Sequence, residues 1–354
     1  MTAPVEFATE ADLPELFTLF AETYRFNPRL REKDYFDWQY RDTPVRLGDG
    51  AYDFLVTRDD HGRIIGHLGV VGFELSSGGR QTIAGWAENW SAKGQGKAGM
   101  ALFTRFLELA DNRLQIRTSD IAWEIARLSR IPRLPAIPRW CAVTDAERAA
   151  DLFGPLSQAD HALLAQSQRR VTALPAATGI LAVDRFDSAD DFGCGQDVGV
   201  AFHARRNGGF LNWRYVDIPR HDYQAVRSER AVGVYRVERI MDTDIDVLRL
   251  LEWTFGADET PRALAAILGR LHPASPLLID FHCTCRPLAE PLLRCGFFPA
   301  ETVETPLPDL FRPRHRSGGY RVAIDLPPHR VARHIDFDQW YITLGDSDTD
   351  RKKL

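Results

Sequence analysis

The sequence of 354 residues lacks the features that would place it in a membrane or on nucleic acid. It contains no run of about 18 apolar residues, the length that a membrane-spanning helix needs, so we expect no membrane span. Basic residues are not in excess, because 44 Lys and Arg stand against 49 Asp and Glu, and this balance argues against a nucleic-acid partner. At about 100–200 residues per domain, the length predicts two domains.

Cysteine is scarce, and the five residues form an odd number. The N-terminal segment is acidic where a secretory signal would be basic, and no long apolar stretch follows it. We therefore expect free thiols and a cytoplasmic location. Cys283 and Cys285 are separated by one residue and have no second pair to join them, so we expect no metal site.

A short motif occurs once in each half of the chain. Residues 38–44 and 213–219 both read W-x-Y-x-D-x-P, and the two tryptophans are 213 − 38 = 175 residues apart, close to half the chain. After each copy the pattern predicts a hairpin, a third strand, a helix, a strand and a second helix. Chance recurrence of common turn residues is the alternative to a repeat.

The repeated order predicts an α/β fold of the α+β mixed-sheet kind. We expect two tandem units, each with a central mixed, mostly antiparallel sheet flanked by helices. The first unit is placed at residues 1–150 and the second at residues 175–354. A linker at about residues 145–180, rich in Ala, Gln, Ser and Asp, would join them.

A segment rich in glycine and lysine follows the strand predicted at Thr82–Trp90 and precedes the helix predicted at Ala98–Asp111. Glycine lets the backbone approach a ligand, and the first helical turn presents N–H groups without intrahelical partners at the positive end of the helix dipole. A pyrophosphate fits such a place, although an exposed flexible loop is the alternative. The candidate ligand-binding residues are Trp90, Lys93, Gly94, Gln95, Gly96, Lys97, Ala98 and Gly99.

This segment resembles the CoA-binding loop of the GNAT superfamily, the Gcn5-related N-acyltransferases, whose pattern is R/Q-x-x-G-x-G/A. Lys93 stands at the Arg/Gln position, Gly96 at the fixed glycine and Ala98 at the last position. The resemblance implies acetyl-CoA or another acyl-CoA as co-substrate, without a metal. It also implies that fourth and fifth strands splay to hold the pantetheine. Residues 255–261, at the equivalent place in the second half, are acidic and would repel phosphate, so we expect CoA in the first unit.

A narrower resemblance links the two ends of the second half. Residues 211–223 read L-x-W-R-Y-x-x-x-P-x-x-x-Y, and residues 340–351 read W-Y-x-T-x-G-D-S-D-x-D-R. Together they resemble bacterial tandem GNAT proteins associated with cell-surface polysaccharide synthesis. The second unit is then a degenerate copy that shapes the acceptor site.

The predicted fourth strand carries the candidate general base. Glu88 is its only carboxylate, and strict alternation would put it on one face with Trp86 and Trp90. An apolar setting of this kind raises the pKa of a carboxyl group, which suits a base that accepts a proton from an amine. Trp86 is the aromatic neighbour that we assign to acceptor binding, and a solvent-facing Glu88 is the alternative.

Four further polar residues are candidates. Ser119 lies beside the expected pantetheine as a candidate catalytic group, or else it caps the following helix. His282 is the candidate catalytic group of the second half, or a structural histidine of its strand. Arg214 and His203 are candidates for binding the acceptor, since packing explains them less easily.

These patterns predict an acyl-CoA-dependent N-acyltransferase, with acetyl as the expected acyl group. Its partner would be a small molecule or sugar nucleotide that carries an amine, and the protein would be a monomer or homodimer. One alternative is a Fem-type aminoacyl transferase, which the acidic composition disfavours. The other is a non-catalytic acyl-CoA-binding scaffold, since the predicted helix after the fifth strand has no tyrosine to protonate the leaving thiolate.

Overall fold

Two β-sheets form the framework of the chain. The computed structural model describes residues 4–25, 27–77, 79–93, 96–116, 119–193, 200–220, 222–240, 243–271, 276–305, 307, 320–325 and 336–346. The strands are β1 Val5–Phe7, β2 Phe54–Arg58, β3 Ile64–Ser77, β4 Arg80–Ala92, β5 Asn112–Ile116, β6 Arg133–Leu134, β7 Arg139–Val143, β8 Leu181–Val183, β9 Phe202–Ala204, β10 Gln224–Arg227, β11 Val232–Arg239, β12 Asp246–Trp253, β13 Leu278–His282, β14 Phe298–Pro299, β15 Val322–Asp325 and β16 Trp340–Tyr341.

Helices flank both sheets. They are α1 Leu13–Thr23, α2 Lys33–Tyr40, α3 Lys97–Leu109, α4 Asp120–Leu128, α5 Ala146–Phe153, α6 Gln158–Thr172, α7 Gly208–Leu211, α8 Thr260–Arg270 and α9 Arg286–Arg294, and a π-helix at Asn212–Val216 continues α7. In each half a hairpin, a third strand, a helix, a strand and a helix follow one another, as the repeat predicts. The predicted mixed α/β fold, with mixed and largely antiparallel sheets flanked by helices, is confirmed.

The main paths of the two sheets have the same strand arrangement, and each path takes in one strand from the other half of the chain. The first sheet also includes β9 and β16 from the second half. The first runs β1-β2-β3-β4-β5-β15-β6, and the second runs β14-β7-β13-β12-β11-β10-β8. The parallel step lies between β4 and β5 in the first sheet and between β12 and β13 in the second. Beyond that step the first sheet takes in β15 from late in the chain, and the second takes in β7 from the first half. Residues 1–150 and 175–354 remain the predicted domain limits, and each sheet draws a strand from across them.

The repeated tryptophans meet at the junction of the two halves. Trp38 on α2 and Trp213 on the π-helix stack with ring centroids 5.2 Å apart and planes 18° from parallel. The Nε1 atom of each indole donates to the backbone carbonyl of the other, over 2.6 Å and 2.9 Å. Both buried indole N–H groups therefore have a hydrogen-bond acceptor. A tryptophan N–H needs such a partner when burial removes it from water.

The stretch predicted as a linker contains α5 and α6. Leu164 and Phe153 of these helices are buried against the second sheet. The hydroxyl of Ser167 accepts from the backbone N–H of Val143 on β7 at 3.0 Å. The Ala- and Gln-rich composition therefore serves helices that cover β7, and alanine and glutamine are indeed good helix formers.

We expect Trp38→Phe to lower the free energy of unfolding by about 1–3 kcal/mol, because it leaves the buried carbonyl of Trp213 without its donor. Trp213→Phe should cost a similar amount, and the double variant should cost less than the sum because the two share one contact. Urea unfolding measures all three. Trp123→Phe on α4, where the indole is half-buried, is the matched control. Strict additivity of the two changes would contradict a shared contact.

Candidate functional site

The fourth strand of the first sheet is bulged in the middle of the candidate site. The pair Gly69↔Glu88 and the pair His67↔Ser91 are two residues apart on β3 but three residues apart on β4, so β4 contains one extra residue over this stretch. Asn89 absorbs the extra residue with φ at 48°, a left-handed conformation that asparagine tolerates better than most residues. A bulge re-aims the side chains that follow it.

The bulge overturns the expected alignment of three residues on one face. Trp86 stacks on Phe73 with centroids 4.7 Å apart, in the core on the α2 side of the sheet. Trp90 stacks on Phe103 of α3 at 5.5 Å, in the core on the opposite side. The prediction that Trp86, Glu88 and Trp90 share a face is therefore wrong, because the additional residue at position 89 reverses the alternation.

Glu88 points toward α2 and is buried, with 7% of its surface exposed. The amide Nε2 of Gln39, which is fully buried, donates to Glu88 Oε2. Gln39 Oε1 is buried and has no hydrogen-bond partner in the described part of the chain. The sequence analysis missed Gln39, although its place between Trp38 and Tyr40 of the repeated motif was a signal. A carboxylate and an amide oxygen thus lie side by side at the bulge, and both accept hydrogen bonds.

Two further contacts hold the bulge in place. Asn89 Nδ2 donates to the hydroxyl of Tyr40 at 2.6 Å. His67 Nδ1 lies 2.8 Å from the carbonyl oxygen of Asn89, and it carries the proton because a carbonyl can only accept. Burial among aromatic rings lowers the pKa of His67 to about 4, so this imidazole is neutral at ordinary pH.

β4 and β5 separate at the bulge and leave a gap that we call the first cleft. The two strands are paired from Ala84↔Asn112 to Trp86↔Leu114. On its opposite edge β5 pairs with β15 from Arg113 to Ile116, and β4 pairs with β3 on the edge away from β5. From Ala87 onward, the β5-facing edge of β4 therefore has no strand partner within the described ranges. Backbone N–H and C=O groups on such an edge can pair with an extended ligand.

Helix α3 begins at the end of the first cleft. Gly96 is its N-cap with φ at 71°, and no described residue beyond its chain neighbours has an atom within 4 Å of the place that a Cβ would take. The backbone N–H groups of Lys97, Ala98 and Gly99 form the first turn, and no described residue accepts from them. Phe103 and Phe106 anchor the helix beneath the sheet. Gly94 and Gln95, also predicted for this turn, lie outside the described residues.

Lys93 follows directly on β4 at the same end. Its Nζ forms an ion pair with Glu22 Oε2 of α1 at 2.9 Å, and both side chains are more than half exposed. Exposed pairs of this kind are worth about 0–1 kcal/mol, so a phosphate could displace the glutamate. Lys93 and Lys97 together give the mouth of the first cleft a positive character.

The remaining predicted residues lie elsewhere. The hydroxyl of Ser119 accepts from the backbone N–H of Ala122 at 3.2 Å, so the helix-cap alternative is confirmed, and a catalytic role for Ser119 stays a prediction. His282 is buried on β13 with its ring edge-on to Tyr320 at 5.1 Å. Burial raises the pKa of the nearby Cys285 thiol to about 11, which keeps it protonated and makes it a poor nucleophile.

Of the three residues predicted to bind the acceptor, Trp86 lies in the core as described above, Arg214 is buried and His203 is half-buried. Arg214 is 2% exposed, and its Nε donates to the carbonyl of Gly345 at 2.8 Å. His203 lies on β9, where burial lowers the pKa of its imidazole to about 4. Their roles in acceptor binding stay predictions.

Within the described ranges no helix is both long and apolar enough to cross a bilayer, and no group of His, Cys, Asp and Glu is arranged to hold a metal.

The splayed strands and the capped helix can be compared with known structures. The chain is similar to a GCN5-related N-acetyltransferase from Kribbella flavida, with a TM-score of 0.51 and 13% identity over 92% of this chain and 71% of that one. It is also similar to Saccharomyces cerevisiae N-myristoyltransferase with bound myristoyl-CoA and inhibitors, with a TM-score of 0.50 and 12% identity over 93% and 83%. This chain has the GNAT fold. No protein-family model and no curated protein matches the sequence.

The histidine beneath the bulge predicts a pH dependence of stability. Because the pKa of His67 falls from 6.5 to about 4 on folding, its contribution is present above pH 6.5 and is lost as the pH falls toward 4. The loss amounts to about 3 kcal/mol at most. His67→Gln should make the free energy of unfolding fall less steeply between pH 6.5 and 4. Part of the decline should remain, because the pKa of His203 is lowered in the same way. His61→Gln in an exposed turn is the control, and an equal flattening there would contradict the assignment.

Proposed function

We propose that the protein is an acyl-CoA-dependent N-acyltransferase whose first cleft binds the acyl-CoA. The observation that carries the proposal is the gap between β4 and β5, which opens at the bulge and ends at the N-terminus of α3. An extended chain can pair with the free edge of β4, and a pyrophosphate can accept from the amides of the first helical turn. The extended pantetheine of CoA thus has a partner in the edge of β4, and the pyrophosphate has one in the first turn of α3.

The residues of this cleft fit CoA on two counts. The first-turn amides of Lys97, Ala98 and Gly99 lack protein acceptors among the described residues, and the space at Gly96 is open, so that phosphate oxygens can approach. Lys93 and Lys97 offset the charge of the diphosphate. The corresponding turn before α8 carries Asp258 and Glu259 in place of the lysines, so we assign a single phosphate cradle to the chain.

Glu88 is the proposed general base. Glu88 Oε2 accepts a hydrogen bond from Gln39 Nε2, and its carboxylate can accept the proton that an amine loses as it attacks. The amine nitrogen bonds to the thioester carbonyl carbon, the carbon–sulfur bond breaks, and CoA leaves as a thiolate. α4 carries no tyrosine, so we assign the proton of the departing thiol to water. Catalysis then depends largely on holding the amine and the thioester in contact.

The acceptor of the proposed reaction is an amine on a small molecule or a sugar nucleotide. The acceptors that converge at the bulge, Glu88 and the buried Oε1 of Gln39, suit a group rich in N–H donors. Acetyl is the proposed acyl group, and cell-surface polysaccharide synthesis is the proposed setting, following the resemblance of residues 211–223 and 340–351. A cytoplasmic monomer or homodimer is part of the same proposal, with the second unit shaping the acceptor site.

Gly96→Glu should abolish acetyl-CoA binding, measured by calorimetry, because a carboxylate would enter the space proposed for phosphate. The control is Gly62→Glu, which changes another open glycine with a similar φ of 78° in a hairpin turn. Both variants carry the same backbone strain, so both should lose similar thermal stability. Unchanged affinity in Gly96→Glu would remove this turn from the proposal.

Glu88→Gln should lower kcat by about 10²–10⁴-fold and leave the acetyl-CoA dissociation constant within about twofold, because only the proton acceptor is lost. Thiol release from acetyl-CoA across a panel of amines and amino-sugar nucleotides measures the rate. Glu74→Gln on β3, a half-buried carboxylate paired with Arg205, is the control. If turnover survives in Glu88→Gln, another group accepts the proton.

A further inference from the structure

The second sheet has a gap equivalent to the first cleft. β12 and β13 run parallel from Val247↔Leu278 to Leu250↔Phe281 and are unpaired with each other beyond that point. The helix that follows also begins at the same distance, since Trp90 precedes Lys97 and Trp253 precedes Thr260 by seven residues each (97 − 90 and 260 − 253). We call the gap beyond Leu250 and Phe281 the second cleft.

Residues 340–346, which we call the C-terminal segment, begin as β16, which pairs with β9 of the first sheet, and continue into the second cleft. On the β13 side, Thr343 forms a β-bridge with Cys283, and the N–H of Thr284 donates to the carbonyl of Ile342 at 3.1 Å. On the β12 side, the backbone N–H of Trp253 donates to the hydroxyl of Tyr341 at 2.8 Å. Trp253 is the residue equivalent to Trp90 on the free edge of β4. The segment thus contacts both strands where they part, through its backbone on the β13 side and through a side-chain hydroxyl on the β12 side.

Buried charges fix the end of the segment. Arg206 is fully buried and contacts Glu252 Oε2 at 2.9 Å and Asp346 Oδ1 at 2.7 Å. Arg214, the counterpart of Gln39 in the repeated motif, donates to the carbonyl of Gly345. A buried ion pair with hydrogen-bonded partners is costly to break from one side, because the remaining charge stays uncompensated. The segment is therefore held by polar contacts along its whole length.

Gly345 passes through the tightest point of the second cleft. A Cβ there would lie 2.0 Å from the hydroxyl of Tyr215 and 2.9 Å from Glu252 Oε1. Tyr215 itself donates to Glu252 Oε1 at 2.7 Å, so neither group can move without breaking a buried hydrogen bond. Only glycine fits between them, and this site is shaped around the backbone of the C-terminal segment.

We propose that the C-terminal segment is the resident ligand of the second cleft and takes the place there that an acyl-CoA pantetheine takes in the first. This inference rests on the proposed function for its CoA stoichiometry, and on the contacts of residues 340–346 for the occupancy itself. The chain then binds one acyl-CoA, and it holds the second cleft closed with its own backbone. Residue 214 is an arginine that donates to this segment, whereas residue 39 is a glutamine that donates to Glu88.

Two measurements on the full-length protein test the proposal. Hydrogen exchange followed by NMR reports on the Trp253 amide, and calorimetry with acetyl-CoA gives the number of sites. Gly345→Ala should speed exchange of the Trp253 amide at least about tenfold by displacing the segment, while Gly256→Ala, where nothing lies within 4 Å, should not. Tyr341→Phe removes the hydroxyl that accepts from the Trp253 amide and donates to Glu252 Oε2, keeps the ring, and should speed the same exchange by about tenfold. Wild type and all three variants should bind one acetyl-CoA.

Each alternative result decides a different point. Two acetyl-CoA sites in the wild type would overturn the proposal. Unchanged exchange of the Trp253 amide in Tyr341→Phe would also overturn it. Tyr341→Phe keeps the ring packing, so it remains a valid test if Gly345→Ala does not fold. Loss of acetyl-CoA binding in a folded Gly345→Ala protein would also overturn it, because the segment would then belong to the first cleft. Absence of acetyl-CoA binding in the wild type would sink the proposed function, while the exchange results would still decide the occupancy.

Discussion

The reciprocal contact between Trp38 and Trp213 fixes how α2 and the π-helix are placed relative to each other, and through them it positions the two clefts. Each indole donates to the carbonyl of the other and stacks on it, so the contact is satisfied when α2 and the π-helix adopt one mutual orientation. The tyrosines two residues on then reach the fourth strand of their own sheets: Tyr40 accepts from Asn89, and Tyr215 donates to Glu252. One self-complementary contact therefore fixes α2 over β4 and the π-helix over β12.

From this shared frame the two halves diverge at single positions. In the first half, Gln39 faces Glu88 and the turn before α3 is rich in glycine and lysine. In the second half, Arg214 grips the backbone of residue 345, and the turn before α8 is acidic. The same parallel step with parted strands thus serves one open cleft and one that the chain fills itself. The chemistry at the edge of the fourth strand, rather than the fold, separates the two.

Local patterns in the sequence were enough to predict the elements of the fold. The helix predicted at Ala98–Asp111 is α3 at Lys97–Leu109, and the strand predicted at Thr82–Trp90 lies within β4. Strict alternation failed at Asn89, because a bulge depends on the partner strand and on contacts with distant residues such as Tyr40 and His67. The helices at residues 146–172 were missed because half of the apolar residues in this stretch are alanine, which marks a buried helix face only weakly, and because its amphipathic faces are short. Neither the exchanged strands nor the filled cleft has a local signature, since both are made by residues far apart in sequence.

The exchanged strands also set the order in which the protein can be completed on the ribosome. Arg113 on β5 and Asp325 on β15 form an ion pair across 212 residues of sequence. At about 5–20 residues per second, synthesis of that intervening stretch takes on the order of 10–40 s. During this interval the edge of β5 has no β15 to cover it, and an uncovered edge is a template for wrong pairing. The nascent first half therefore exposes this edge until nearly the whole chain has been made.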